Sequence, residues 1–450
     1  MSTKVKTLII SMFIMLSVVS CLKTPDDDYP DPNENEIILP DKNEVFNTNT
    51  QNITVKNPVS ISFSDGQTIV NNPYEKYGVT INVDQQNVTI YSTVLETKTE
   101  VNYVLSGIAT AGFVKIYSDY KLGLVFNGVS IQNPTGAAVN IQSGKKISVT
   151  LVDKTLNRLI DEGIFQMTAD EDMKGTFFSK GQLVFDGTGS LLIYGNYGHA
   201  ICSDDFIEIN NGNIIVNHAI KDGIHCNDYF QMEGGNIKIL KAKSDGMECA
   251  KGHVTINGGS IEIESFSSGI KANGNMIVTG GEIYCNSGKN GIVSTEGAIV
   301  VTGGLIVASA TKNVFDSGNN TFSITGGTAV GVGGTTTLPT ANECRQRAVV
   351  WGASKFTEGQ LISIKSSGDS DVLTFKLPKA YTSNMALIFT SPALQANKTY
   401  TIYKGGSVSG GSDFHGLYSG TVSSGGTAAA TFTISDMVTT VGNVISGQGQ

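Results

Sequence analysis

One period dominates this chain of 450 residues. Six segments align with almost no gaps: HAICSDDFIEINNGNIIV from His199, DGIHCNDYFQMEGGNIKI from Asp222, DGMECAKGHVTINGGSIEI from Asp245, SGIKANGNMIVTGGEIYC from Ser268, NGIVSTEGAIVVTGGLIV from Asn290, and a looser NVFDSGNNTFSITGGTAV from Asn313. Gly212, Gly235, Gly259, Gly281, Gly304 and Gly327 are spaced 22 to 24 apart. Three before each stands an apolar residue (Ile209, Met232, Ile256, Val278, Val301, Ile324), and two after each stands Ile214, Ile237, Ile261, Ile283, Ile306 or Ala329. Apolar alternation on both sides of a glycine reads as two short strands joined at a sharp corner, with glycine supplying φ > 0. An antiparallel meander also has short strands and glycine turns, but it does not return the same residue to the same place at one constant period. A period near 23 makes three short strands and three corners. The expectation is an all-β solenoid, a parallel β-helix with coils about 4.8 Å apart.

The stack extends upstream. Gly175 to Tyr194 has the same strand–corner–strand form, and Gly189 lies 23 before Gly212. Leu122 to Ile141 and Lys146 to Leu159 read as earlier coils. Ile53 to Gly107 alternates as N-terminal strands or a cap, which an open solenoid end requires to hide its strand edges. Beyond Gly334 the period is lost, and LISIKSS, VLTFKLP, MALIFTS and TYTIYKGG read as a small C-terminal antiparallel β region. With 52 Gly but 40% hydrophobic residues, the composition suits a turn-rich β protein with a sizeable core.

The first residues point to export. Lys4 and Lys6 precede an apolar run from Thr7 to Val19, shaped like a signal peptide. The run ends in Leu16-Ser17-Val18-Val19-Ser20-Cys21, which resembles the lipobox of bacterial lipoproteins. Cleavage there makes Cys21 the lipidated first residue. The Pro-, Asp- and Asn-rich stretch that follows cannot bury enough surface to offset its ordering entropy, so it reads as a flexible tether. Its acidic cluster resembles the surface-export signal of Bacteroidetes lipoproteins. The expected division is 1–20 signal peptide, 21–45 tether, 46–352 β-helix with its N-terminal cap, and 353–450 antiparallel region and tail. The expected location is the outer membrane, at the cell surface, held by the lipid alone. Loss of residues 1–20, with two lysines and no acid, takes the net charge from −9 to −11. Such a surface does not suit nucleic acid, which needs a basic face. An acidic polymer would need a bridging divalent cation. Cys202, Cys226, Cys249, Cys285 and Cys344 are an odd set without zinc spacing, the five histidines are scattered, and the cysteines read as small core fillers.

Several columns of the repeat could carry chemistry. His199, Asp222, Asp245, Ser268 and Asn290 share one column. Farther along the same coils come Asp204-Asp205 and Asn227-Asp228. Asp204, Asp205, Asp222, Asn227, Asp228 and Asp245 are candidate calcium ligands, since calcium takes six to eight oxygens and stacked carboxylates repel without a cation. Asp-Gly is also good corner chemistry with no metal. An outward column of Cys202, His225, Glu248, Lys271 and Val293 reads as an ion-pair ladder, and an inward one of Ser203, Cys226, Cys249, Ala272 and Ser294 as core. Lys221 and Lys271 are candidate bases, although the carboxylate beside Lys221 would raise its pKa, and Tyr197 and Tyr229 are candidate stacking rings. No nucleophile elbow, Walker loop or HExxH motif occurs.

SKGQLVFDGTGSLLIYGNYGHAICSDDFIEI, the two DG coils after it, NYVLSG and LVFNGVSI before it, and TYTIYKGG and TFTISD near the end together resemble a bacterial carbohydrate-binding β-helix family once catalogued as a domain of unknown function. The resemblance runs from Ile53 to Gly442. It implies a right-handed parallel β-helix that contains calcium and binds cellulose or acidic, pectin-like chains. The pair Asp204-Asp205 coincides with the family's acidic pair, whereas Ser179-Lys180-Gly181-Gln182 in the preceding coil lacks it. The expected function is non-catalytic polysaccharide binding by a calcium-containing lipoprotein, with Tyr197, Tyr229, Lys221 and Lys271 near the glycan. The alternatives are a calcium-dependent pectate-type lyase, and a structural or adhesive β-helix in which calcium only stabilises.

Overall fold

The computed structural model describes residues 39–40, 46, 49–93, 100–166, 168, 171–368 and 370–447. The repeat folds as its period dictates, into a parallel β-helix. The coil that starts at Ile224 is typical: strand Ile224–Cys226, a corner, strand Tyr229–Met232, the glycine corner, and strand Asn236–Ala242. Each strand then pairs in parallel with its counterpart in the next coil. The register is the one the columns require. Ile201, Ile224, Met247, Ile270 and Ile292 stack in one ladder. Ile214, Ile237, Ile261, Ile283 and Ile306 stack in another. These side chains are buried in a single core that runs the length of the helix.

The first strand of each coil belongs to an 11-stranded sheet that includes His199–Ser203, Ile224–Cys226, Met247–Cys249 and Ile270–Ala272. We call it the short-strand sheet. A three-residue strand points its two end residues inward and its middle residue outward. The functional candidates lie on its outward side and at its two ends.

Both ends of the parallel stack are closed by antiparallel pairing, which uses strand edges that would otherwise be open. At the start, Val59–Ser64 pairs with Gln67–Asn71, and Val79–Asp84 with Asn87–Ser92. At the other end, Met385–Thr390 runs antiparallel to both Thr328–Gly333 and Ala348–Ala353. Most of the remaining C-terminal strands form a six-stranded sheet between Leu361 and Thr433. A second core joins this region to the outside of the last coils, with Tyr284, Val307, Val330 and Val332 packed in the same cluster as Phe375, Leu387, Phe389 and Tyr400. Trp351, the one tryptophan, is buried there.

Candidate functional site

The shared Asp column has a local structural reason. Asp222 Oδ1 accepts the backbone N–H of Asp245 at 2.9 Å, and Asp245 Oδ1 accepts that of Ser268 at 2.6 Å. The backbone N–H of Asp222 in turn donates to Nδ1 of His199 at 3.3 Å. The side chains of His199, Asp222 and Asp245 therefore tie each of these coils to the next. The two aspartates are nearly buried, at 3% and 5% exposure.

Beside that column stands the outward ladder, in the expected register. His225 Nδ1 lies 3.0 Å from Asp222 Oδ2 and 3.2 Å from Glu248 Oε2. Lys271 Nζ lies 2.7 Å from Glu248 Oε1 and 3.7 Å from Asp245 Oδ2. Burial alone would push the His225 imidazolium down, but Asp222 and Glu248 outweigh it and hold its pKa up at about 9. Glu248 is held below the usual carboxylate range, chiefly by His225. Burial opposes the Lys271 charge too, yet Glu248 and Asp245 raise its pKa. Burial drives His199 the other way, toward the neutral ring. His199 and His225, scattered in the sequence, stack one coil apart with ring centroids 4.3 Å from each other.

The rest of the expected calcium set lies at the other end of the short strands. Asp204 Oδ1 pairs with Lys174 Nζ at 2.6 Å, and Lys174 also holds Asp172 at 2.8 Å. Asp205 Oδ1 accepts the N–H of Phe206 at 2.9 Å, and Oδ2 accepts the side-chain amide of Gln182. The backbone carbonyl of Asp205 receives the N–H groups of Asn227 and Asp228. Asn227 Nδ2 donates to the carbonyl of Asp204 at 3.0 Å, and Asp228 is exposed. The six residues thus divide into Asp222 and Asp245 at one end of the strand and Asp204, Asp205, Asn227 and Asp228 at the other. Among the described residues, groups of three His, Cys, Asp or Glu ligands converge in two places, His199/Asp222/His225 and Asp222/Asp245/Glu248. One six-residue calcium cradle is therefore not what the fold builds. Asp222 and Asp245 already face an ammonium and an imidazolium. The corner offers oxygens, the ligand type calcium takes, but too few of them to surround the ion unaided.

The two tyrosines have partners the sequence reading missed. Tyr229 is sandwiched between Phe206 and His253, with centroids 4.4 and 5.3 Å away, and its hydroxyl donates to Glu208 at 2.6 Å. Tyr197 stacks on Phe165 at 4.0 Å and is 37% exposed. A ring stacked between rings presents its edge to solvent. Tyr229 is therefore placed for hydrogen bonding at the rim more than for stacking on a sugar face. Phe206, Tyr229 and His253 follow from one another by the 23- and 24-residue steps of the same column, a signal that was in the repeat. Lys221 is exposed on the turn before Ile224–Cys226, with its backbone N–H donated to Gly198. Cys21 lies outside the described residues.

A family model described as carbohydrate-binding domain-containing protein matches residues 84–329, more than half of the chain. A protein of Acetivibrio thermocellus with that same description is 29% identical over 118 residues, 25% of this chain; the match spans 41% of the relative. A solved structure described as the polysaccharide lyase-like protein from C. thermocellum, gadolinium derivative, superposes with a TM-score of 0.49 at 24% identity, over 54% of this chain and 96% of that one.

Proposed function

The chain belongs to the carbohydrate-binding domain-containing family, and from that premise we propose that it holds a polysaccharide along the outward face of the short-strand sheet without cleaving it. A repeating surface suits a repeating ligand, and here three successive coils offer a polar side chain at the same height. His225, Glu248 and Lys271 supply donors and acceptors along the face, Lys221 borders it at one end of the strands, and the Asp204-Asp205 and Asn227-Asp228 corners border it at the other.

The observation that carries the non-catalytic reading is the state of Lys271. A lyase base must give up its proton near neutral pH, which calls for a lowered pKa. The Lys271 ammonium is instead paired with Glu248 and Asp245, which raise its pKa. Such a group binds and orients; it does not abstract.

Calcium is part of the proposal at the Asp204, Asp205, Asn227 and Asp228 corner. There the protein would supply some of the oxygens and an acidic sugar the others, which also answers how a chain of net charge −9 retains an acidic glycan. Cys21 is proposed as the lipid anchor to the outer membrane, with 21–45 as the tether that sets the β-helix of 46–352 and the region 353–450 off the surface. Incubation with polygalacturonate and calcium, following the absorbance of unsaturated product, tests the central point. No product is expected. Product that disappears in Lys271→Ala or Lys221→Ala would establish the lyase instead.

A further inference from the structure

His199 and His225 come from neighbouring coils, and both direct Nδ1 at a single atom. Asp222 Oδ2 lies 3.1 Å from Nδ1 of His199 and 3.0 Å from Nδ1 of His225. The carboxylate is not free to turn away, because its Oδ1 is fixed by the backbone N–H of Asp245 at 2.9 Å. His199 and Asp222 are 7% and 3% exposed, so water has little access to settle their charges. We infer that His199, Asp222 and His225 bind a divalent first-row transition-metal ion of the zinc class. This inference does not depend on the carbohydrate reading.

Two observations support it independently. The first is donor chemistry and spacing. Imidazole nitrogens suit zinc, copper, nickel or iron, whereas calcium takes oxygens. With bonds of about 2.0–2.2 Å to zinc, neighbouring ligands in a tetrahedron stand roughly 3.3 Å apart, close to the separations found here. Glu248, with Oε2 at 3.2 Å from the same His225 nitrogen, stands next to the three. The second is a conflict at His199, whose Nδ1 lies 3.3 Å from the backbone N–H of Asp222 and 3.1 Å from Asp222 Oδ2, so that neither tautomer satisfies both contacts. An ion bound there takes the place of the proton that His225 Nδ1 directs at Asp222 and Glu248, and that proton is released on binding.

Metal-stripped full-length protein titrated with zinc by calorimetry, and with cobalt(II) by visible absorption, tests the site. One ion per chain is expected, with cobalt bands of the intensity typical of tetrahedral coordination and no competition from excess calcium. His199→Asn and His225→Asn are each expected to weaken binding at least tenfold, while His253→Asn, an exposed histidine elsewhere on the helix, leaves it unchanged. Absence of zinc binding to the wild-type chain would overturn the inference. So would equal binding by the His199→Asn and His225→Asn variants, or loss of binding in His253→Asn. If either substitution at the site unfolds the chain, the wild-type cobalt spectrum decides alone: octahedral, weakly absorbing cobalt would contradict it.

Discussion

Asp222 accepts the backbone N–H of the next coil with one carboxylate oxygen and faces two imidazoles with the other. Removing it leaves a buried amide without its acceptor and an imidazolium with one of its two carboxylates, and losing one partner of a buried pair costs far more than the pair's net worth. Asp222→Ala is expected to lower unfolding free energy by about 3 kcal/mol, measured by urea denaturation. A second residue tests how burial sets charge. His218 is fully buried on Asn213–Ala219, neither ring nitrogen has a hydrogen-bond partner, and burial, with Lys241 and Lys243 adding to it, pushes its pKa down to about 4. The unfolded chain takes up this proton near pH 6.5 while the fold resists it, so stability from His218 is complete above pH 6.5 and is lost as pH falls toward 4. Wild type should lose up to ~3 kcal/mol over that window relative to His218→Leu. Parallel pH slopes for the two proteins would refute the assignment. At this scale the columns were legible from the period alone. The partners were less so: a register says which residues stack, but not that His199 and His225 would turn the same nitrogen toward one carboxylate.

The glycine corner is the element that makes the stack possible. Gly235 and Gly259 have φ of 79°, and a Cβ on Gly259 would meet the carbonyl oxygen of Gly235, one coil away, at 2.6 Å. Substitution there faces backbone strain and a clash with rigid backbone together. Gly259→Ala is expected to cost about 2 kcal/mol, whereas Gly144→Ala, with nothing within 4 Å of its Cβ, should be close to neutral. Thermal melts of the two variants make the comparison, and equal melting temperatures would contradict it. The corners were legible because glycine alone tolerates that conformation, although in the coil before His199 the positive φ falls on Gly187 and not on Gly189. The acid corners were harder to read. Asp204-Asp205 and Asp222 are close in sequence, but the strand His199–Ser203 and the turn to Asp222 send them to opposite ends of the short strands. A repeat aligned in one dimension does not show which end of a strand a residue will occupy.

At the scale of the whole molecule, the β-helix was evident from its period, and the C-terminal strands from their alternation. That Met385–Thr390 would return to cap the stack was not, since such pairing depends on the edge left open by the last coil. The consequence for function is a division of surfaces. The outside of the late coils is covered by the C-terminal region, and the outward face around His225, Glu248 and Lys271 stays only partly buried. Carbohydrate on that face is the proposal that this division of surfaces supports. Retention in polygalacturonate and cellulose affinity gels, with calcium and with chelator, tests this most directly, comparing wild type with a Lys221→Ala, Asp228→Asn variant whose changes lie at exposed positions. The expected result is calcium-dependent retention of the wild type and at least severalfold weaker retention of the variant at unchanged melting temperature. Retention of the variant equal to wild type, or none by either protein on any glycan, would contradict it.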